Sequence, residues 1–251
     1  MKINGWDVSE AGARQLNVTF GTHSITNVSE WSRGSPAPVL LPDAVGFKTL
    51  DISWLVRGSG REDIREKCSR ITARLLEPVE LILDGCSHRF RGILAKQTTL
   101  DEKVLNPTLV AYNRAAKLTA RFNCYEYGTL EDGSPYTVTE TKKTEITVNN
   151  PGNLLTPAVI EITPQIGVAS LNVSGICQDP GNGQDLPVQI GTLESGKMVV
   201  LDGESGLMTQ DGELKTDLEI WGLPVLKPGK NTITLDSDRM AVTVKFYPRY
   251  V

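Results

Sequence analysis

Histidine and aromatic side chains are scarce in this sequence, and their scarcity limits the chemistry that it can perform. The 251 residues include two histidines, His23 and His88, and only 6% are aromatic. Neither histidine lies in a metalloprotease helix motif or a nucleophile elbow. The stretches GSGRED and PGNGQD lack the glycine order of a phosphate-binding loop. The sequence therefore predicts no catalytic residues and no cofactor.

Cysteines are also few, and none of the four lies close to another in the sequence. They are Cys68, Cys86, Cys124 and Cys177. Such spacing gives neither a zinc site nor a redox dithiol, and their apolar neighbours predict buried free thiols. Oxygen ligands for calcium are available in Asp179, Asn182 and Asp185, but their spacing does not match an EF-hand. Since Asp, Asn and Gly favour turns, we predict a turn there and no metal site.

Long apolar runs and an excess of positive charge are both missing. No apolar stretch reaches the 18 or so residues that a transmembrane helix needs, and MKINGWDVSE lacks the apolar core of a signal peptide. We therefore expect a soluble chain that folds in the cytoplasm. The net charge of −4 argues against a general nucleic-acid binder, which needs Lys and Arg to displace counterions.

The charge is distributed unevenly along the chain. Residues 1–128 carry 17 basic and 14 acidic side chains, whereas residues 129–251 carry 9 and 16. Eleven of the 13 arginines lie in the first half. Arginine is enriched in protein interfaces because its planar fork pairs with carboxylates and stacks on flat groups. The first half is therefore a candidate for assembly contacts, although a solvated face with a chance bias is an equally good explanation.

Apolar residues that alternate with polar ones indicate antiparallel strands in the first half. The predicted buried sets are Leu16, Val18 and Phe20; Leu50, Ile52, Trp54 and Val56; Val79, Leu81 and Leu83; and Leu118, Ala120, Phe122 and Cys124.

One helix interrupts these strands at about residues 61–76. Ile64, Cys68, Ile71 and Leu75 follow one another at steps of four, three and four, which place them on one helical face. Ser59 and Glu62 have the spacing of a capping box, and Pro78 ends the pattern. The other faces carry four arginines: Arg61, Arg65, Arg70 and Arg74. The pattern predicts a helix that packs on a sheet and has an arginine-rich outer side.

A long proline-rich segment, residues 32–47, lies between two predicted strands. Loops of this length within a compact domain are usually functional or disordered. We interpret the segment as an arm that packs onto a neighbouring subunit, with Val39, Leu40 and Leu41 as its anchors. A loop that folds back onto its own domain is an equally good interpretation.

A domain boundary is predicted at residues 129–136, where glycine, proline and acidic residues cluster. Beyond it, short alternating strands separated by turns such as DGESG and QDGE indicate a β-sandwich or jelly roll. Met198 and Val200 are among its predicted core residues. The last two strands, 231–235 and 240–247, are predicted to pair as a hairpin across the turn DSDR.

The order of these features resembles a known family. It combines a helix-bearing β domain ending in LTARFNCYEYG with the later stretches NPGNLLTPAVIEI, VVLDGESGLMTQDGE, LPVLKPGKNTITL and VTVKFYPRYV. This chain resembles the distal tail proteins, often abbreviated Dit, of long-tailed phages and prophages. The resemblance covers nearly the whole chain and is sharpest in residues 150–251.

The resemblance implies a mainly β protein with no enzymatic activity. Its N-terminal β-sandwich or split-barrel domain, 1–128 with one helix, would form a ring of six copies, and a linker, 129–136, would lead to a galectin-like jelly roll, 137–251. The implied partners are further copies of the chain, the tail tube protein, the tail-tip hub, and receptor-binding or baseplate proteins. Neither a membrane nor a specific nucleic acid is an expected partner. The implied location is the tail tip of the virion, assembled in the host bacterial cytoplasm.

A carbohydrate-binding module is the alternative function, since galectin-like folds include lectins. The fold alone does not confer sugar binding, because function resides in particular residues. Sugar recognition favours aromatic platforms, and Trp221 is the one exposed tryptophan candidate of the second half. We expect Trp221 to serve instead in packing or in a contact with the adjoining domain.

Overall fold

The computed structural model describes residues 1–26, 44–101, 114–179 and 183–251, and the side chains of residues 23–26 and 44–45 are not described. Val39, Leu40, Leu41 and Asn182 therefore lie outside the described residues. The chain divides into two compact units. The N-terminal unit comprises Met1–Glu126 with Val251, and the C-terminal unit comprises Tyr127–Tyr250.

Antiparallel strands build the N-terminal unit, as the alternating sequence predicts. They are β1 (Lys2–Ile3), β2 (Trp6–Asp7), β3 (Ala13–Thr26), β4 (Ala44–Arg57), β5 (Val79–Ile82), β6 (Arg89–Asp101) and β7 (Ala115–Tyr127). Their order in the sheet is β2-β1-β5-β6-β7-β4-β3. A 3-10 helix spans Val8–Ala11, and helix α1 spans Arg61–Ala73. The prediction of a mainly β chain is confirmed, whereas β6 carries no clear alternation and was not predicted.

One face of this sheet and one face of α1 form a single core. Its largest fully buried side chains include Trp54, Phe90 and Phe122, which lie on β4, β6 and β7. Helix α1 buries Ile64, Cys68 and Ile71 in the same core, as its predicted face requires. Leu75, just beyond the helix, is fully buried as well.

The start of α1 differs from the predicted capping box. Its N-cap is Gly60, which makes no side-chain capping bond, so Ser59 and Glu62 do not form the box. Instead the Asp63 carboxylate accepts hydrogen bonds from the Ser59 backbone N–H at 2.7 Å and from the Lys67 ammonium at 3.0 Å. Asp63, one residue after the predicted Glu62, is thus the acidic side chain that accepts hydrogen bonds at the start of the helix. The helix also ends at Ala73 rather than near residue 76.

The predicted apolar face of β3 is partly wrong. Leu16 and Phe20 are both exposed, although Val18 packs against the core. The strand register shifts between Gln15 and Asn17, so Leu16 lies in a bulge that alternation cannot foresee. Phe20 lies opposite the core residue Leu50 and contacts the Phe90 ring at 5.5 Å, but β3 is the last strand in the order of the described residues. The Phe20 side chain is therefore 50% exposed at this edge of the sheet.

Two antiparallel sheets form the C-terminal unit. The strands are β8 (Tyr136–Thr141), β9 (Glu145–Asn150), β10 (Thr156–Pro164), β11 (Leu171–Gln178), β12 (Asp185–Ile190), β13 (Val199–Asp202), β14 (Met208–Gln210), β15 (Glu213–Leu214), β16 (Leu218–Glu219), β17 (Val225–Leu226), β18 (Gly229–Leu235) and β19 (Met240–Phe246). A further strand, β20 (Arg249–Tyr250), belongs to neither of these two sheets. One sheet has the order β15-β14-β13-β10-β19-β8, with β17 also paired to β10, and the other has the order β16-β12-β11-β18-β9. Both contribute buried residues to one core, which makes this unit a β-sandwich.

The predicted C-terminal hairpin is wrong in an informative way. β18 pairs with β9 and β11, whereas β19 pairs with β8 and β10. The turn DSDR therefore carries the chain from one sheet to the other. Both strands alternate cleanly because each buries one face in the shared core. Alternation indicates which face of a strand is buried, but it does not indicate which strands are hydrogen-bonded to it.

The predicted core residues of β13 are also wrong, since Val199 and Leu201 are buried and Met198 is exposed. Met198, Val199, Val200 and Leu201 are all apolar, so the sequence does not show which alternate pair faces the core. Strand pairing decides between them: Val199 and Leu201 lie opposite the buried Ile162 and Ile160 of β10. Residues directly opposite each other on neighbouring strands point to the same face.

A bulge in β11 depends on one glycine. The register with β12 shifts between Val173 and Cys177, and Gly175 has a φ of +83°. A methyl group at this position would lie 2.1 Å from the Thr232 carbonyl oxygen of β18. Close backbone approach and the left-handed conformation both require glycine here.

Candidate assembly surfaces

Three of the four predicted arginines lie on the outer side of α1, Arg74 follows as its C-cap, and all four are exposed. The Arg70 guanidinium lies 2.5 Å from the Glu66 carboxylate one turn earlier. Arg74 stacks over the Trp6 ring at 4.4 Å from its centroid. Residues 61–74 carry five basic and three acidic side chains, so this surface keeps a positive charge. Exposed, partly pre-oriented arginines are suited to pairing with carboxylates of another protein.

A shallow groove of about 370 Å³ runs beside the same helix. Leu76, Leu100 and Leu118 supply apolar lining, and Arg65 and Thr72 supply polar lining. The groove places a small apolar surface next to the arginines. An interface patch commonly combines an apolar centre with a polar rim in this way.

The face of β4 and β7 opposite the core carries two polar cross-strand pairs. Arg121 donates to both carboxylate oxygens of Asp51 at 2.6 and 2.7 Å, across directly opposed positions of β4 and β7. The same pairing sets Ser53 beside Thr119, whose hydroxyl oxygens are 3.3 Å apart. The Arg121 hydrogen bonds outweigh partial burial and hold the pKa of the Asp51 carboxyl below its usual value.

A half-buried charged cluster joins β4, β7 and the loop before β6. The Glu126 carboxylate lies 2.5 Å from the Lys48 ammonium and 2.6 Å from His88 Nδ1. Burial raises the pKa of Glu126, but the hydrogen bonds from Lys48 and His88 outweigh it and leave that pKa lowered. Sequence reasoning missed this cluster because its members lie 38 and 78 residues apart.

The cluster does not supply an activated nucleophile from the neighbouring cysteine. Burial raises the pKa of the Cys124 thiol to about 12, and its sulfur donates to the Lys48 carbonyl oxygen at 3.5 Å. A thiol with such a pKa stays protonated at neutral pH and is a poor nucleophile. We therefore interpret the cluster as structural.

The cysteines match most of the prediction of buried free thiols. Cys68, Cys124 and Cys177 are buried and free, whereas Cys86 is free and only half-buried. Across residues 1–26, 44–101, 114–179 and 183–251, no group of three or more His, Cys, Asp or Glu side chains is arranged to hold a metal. Within those same ranges, no helix is long and apolar enough to span a membrane.

The C-terminal unit exposes an apolar surface that includes the tryptophan singled out in the sequence. The Trp221 side chain is 79% exposed, so the expected packing role is wrong. Leu223 and Leu207 are 50% and 57% exposed. Leu223 Cδ2 lies 3.6 Å from the position that a side chain on Gly206 would take, which places the loop of Trp221 beside the turn of Leu207.

Comparisons with known proteins give matches by structure alone. No family model and no curated protein sequence matches the chain. A solved structure described as the SPP1 Dit (gp 19.1) protein, a paradigm of the hub adsorption apparatus in phages infecting Gram-positive bacteria, matches with a TM-score of 0.71 and 14% identity. The match covers 99% of this chain and 98% of that one. A chain of the phage P2 baseplate, in its activated conformation with Ca, matches with a TM-score of 0.50 and 11% identity, over 97% and 92% of the two chains.

The similarity to SPP1 Dit extends over both units. At 14% identity it concerns the arrangement of the backbone, and it agrees with the resemblance that the sequence motifs indicated. This chain therefore has the fold of the SPP1 Dit protein over 99% of its length.

Proposed function

We propose that this chain is a structural component of a phage tail tip and not an enzyme. The single observation that carries the proposal is the end-to-end similarity to SPP1 Dit, a hub protein of a phage adsorption apparatus. Accidental similarity of one sandwich domain would leave the other unit unmatched, whereas here both units are covered. The location that follows is the tail tip of a virion, with assembly in the cytoplasm of a bacterial host.

The proposed form is a ring of six copies between the tail tube and the tail-tip hub. The N-terminal unit makes the ring, through the arm with Val39, Leu40 and Leu41 and through the arginine-faced side of α1. A ring needs two different, complementary patches on each copy, since a self-complementary patch gives only a dimer. The exposed arginines and the apolar groove beside α1 support one such patch.

The C-terminal unit is proposed to be a galectin-like sandwich that carries receptor-binding or baseplate proteins. Its two-sheet architecture supports the first part of this proposal. Its acidic composition, 16 acidic and 9 basic side chains in residues 129–251, supports a role distinct from that of the N-terminal unit. Neither a membrane nor a specific nucleic acid is a partner in this scheme.

The test measures mass and shape. The purified chain, alone and with the tube and hub proteins of the same phage, is examined by multi-angle light scattering and negative-stain microscopy. We expect a six-fold ring, formed alone or only beside tube or hub. A chain that stays monomeric with both proteins present contradicts the proposal.

Two variants test where the ring contacts lie. The double change Arg61→Glu and Arg65→Glu reverses the charge of the outer helix face but leaves α1 folded, because acidic residues in the first turns suit the helix dipole. Leu40→Asp with Leu41→Asp tests the arm. Both should weaken the ring, while a matched charge reversal in the C-terminal unit, Lys142→Glu with Lys230→Glu, should leave it intact. A ring unaffected by the first two pairs excludes these contacts without excluding the ring.

Carbohydrate binding is the second candidate, and one observation favours it. The indole of Trp221 is open to solvent and has the flat apolar surface on which sugars stack. A lectin would be retained on a glycan column and would remain a monomer or dimer. Retention that is lost in Trp221→Ala, without any ring, would favour this function over the tail-tip role.

A further inference from the structure

We propose that Trp221, Leu223 and Leu207, named here the tryptophan surface, form the docking site for a separate protein that presents lysine or arginine side chains around an apolar contact. The inference rests on the proposed function, because it identifies the surface with which the C-terminal unit holds another tail-tip component. Three independent features of the surface carry it.

The first feature is exposed apolar area of the kind that dominates interfaces. Trp221 is 79% exposed, and two leucines that are at least half exposed accompany it. Tryptophan is the residue most enriched among interface hot spots, where a few anchors supply most of the affinity. A solvent-facing tryptophan amid other apolar groups marks an interaction site more strongly than single exposed residues do.

The second feature is that the backbone beneath this surface is fixed. Ala158 of β10 donates to the Pro224 carbonyl oxygen at 3.0 Å and accepts from the Gly203 N–H at 2.9 Å, which ties both loops to the same strand. A methyl group on Gly203 would lie 1.9 Å from the Pro224 oxygen, so the two loops are in backbone contact. On the other side, Cys177 Sγ donates to the Gly222 carbonyl oxygen at 3.2 Å.

Side-chain bonds hold the second loop as well. Asp202 accepts from the backbone N–H groups of Glu204 and Ser205 at 2.8 and 3.2 Å, and from the Ser205 hydroxyl at 2.6 Å. The Ser205 oxygen in turn accepts from the Leu207 N–H at 3.2 Å. A surface held in this way loses little conformational entropy when it binds, which favours affinity.

The third feature is the charge of the two chain segments that carry the apolar side chains, and it selects the partner. The segments 202–207 and 216–224, the second of which includes β16, contain four carboxylates, Asp202, Glu204, Asp217 and Glu219, and no basic residue. Two of the four contact a cation from elsewhere: Glu204 pairs with Arg249 at 3.1 Å, and Asp217 pairs with Lys215 at 2.8 Å. With these two cations counted, the two segments keep a net negative charge. A complementary partner carries Lys or Arg, and such a cation can also stack on the Trp221 ring.

The experiment uses the full-length chain and three defined probes, which are the purified tube, hub and receptor-binding proteins of the same phage. Hydroxyl-radical footprinting with mass spectrometry reads the oxidation rate of Trp221, with the fully buried Trp54 as an internal reference. We expect one probe to slow oxidation of Trp221 at least fivefold. Its affinity should fall at least tenfold in Trp221→Ala and in Glu219→Lys, and should weaken as salt rises.

The matched control is Leu214→Ala, which removes an exposed apolar side chain elsewhere in the same unit and should leave binding unchanged. The inference is overturned if no probe protects Trp221, or if Trp221→Ala binds every probe like the unmodified chain. Ring formation is measured on the same variants. If the Trp221→Ala chain forms the ring but no longer binds the probe, both proposals are supported. If the unmodified chain forms no ring but a probe still protects its Trp221, the docking site is supported and the proposed ring is contradicted.

Discussion

The Lys48 ammonium lies 2.5 Å from the Glu126 carboxylate, and the two side chains are only 10% and 14% exposed. His88 contacts the second carboxylate oxygen. The Glu126 carboxylate therefore contacts two side chains from separate parts of the N-terminal unit. Removing it leaves the buried Lys48 ammonium without its counter-charge.

Glu126→Gln should lower the free energy of unfolding at neutral pH by about 3 kcal/mol, since breaking a largely buried ion pair leaves the other charge unpaired. The pKa of Glu126 is lowered in the folded chain. Its stabilisation is therefore complete above its ordinary pKa of 4.5 and is lost as pH falls through the lower folded value. Urea unfolding from pH 7 to 3 should show that the variant loses less stability in acid. The exposed Glu145→Gln is the control, and an equal acid loss in Glu126→Gln would contradict the prediction.

Gly175→Ala should destabilise the C-terminal unit by about 2–4 kcal/mol, because the new methyl group meets the Thr232 oxygen and the backbone has a positive φ. Gly167→Ala, where a methyl group finds ordinary contact distances, should cost less than about 1 kcal/mol. Calorimetry measures both. Equal unfolding temperatures for the two variants would contradict the prediction and show that the backbone of the β11 bulge shifts to accommodate the methyl group.

Lys215→Met should destabilise the same unit by about 3 kcal/mol, although methionine keeps the apolar stem. The Lys215 side chain is 3% exposed, and its ammonium donates to the Thr192 carbonyl at 2.8 Å and the Gln210 side-chain oxygen at 2.9 Å. Methionine leaves both acceptors without that donor. The exposed Lys230→Met should change the free energy by less than about 0.5 kcal/mol in denaturant unfolding. A gain in stability for Lys215→Met would show that desolvation of the ammonium outweighs its bonds.

Thiol labelling should separate the cysteines by exposure. At neutral pH one thiol, Cys86, should react with an aromatic disulfide reagent in the native chain, since it alone among the four is half-buried. Burial raises the pKa of Cys124 and of Cys177 to about 12, so both should react only after unfolding. Cys86→Ser should abolish the rapid phase. Rapid labelling of Cys177 in that variant would indicate local opening of β11.

Alternation in the sequence predicts buried faces well and strand partners poorly. It identified Leu50, Ile52, Trp54 and Val56, all buried in β4. It could not foresee the bulge at Leu16, because one extra residue reverses the faces that follow. Nor could it choose between the two phases of β13, where all candidates are apolar and the contact with β10 decides.

The candidate surfaces divide in the same way. Helical spacing was sufficient to predict that Arg61, Arg65 and Arg70 lie on the outer side of α1 and that Arg74, its C-cap, is exposed. The tryptophan surface depends on two segments, 202–207 and 216–224, that are distant in sequence and are both bonded to Ala158 of β10, so no local pattern marks it. The cluster around Glu126 likewise arises from residues that are far apart in the sequence.

The passage of the chain from β18 to β19 has a consequence for biosynthesis. Each of these strands lies between two others, one in each sheet of the C-terminal unit. Until the ribosome has released residues 229–246, both sheets lack an inner member and β8 and β9 have no main-chain partner in their order. The N-terminal unit can fold while translation continues, whereas the sandwich closes late, through contacts distant in sequence. Nascent chains stalled before residue 229 should therefore expose unpaired edges and need protection by chaperones.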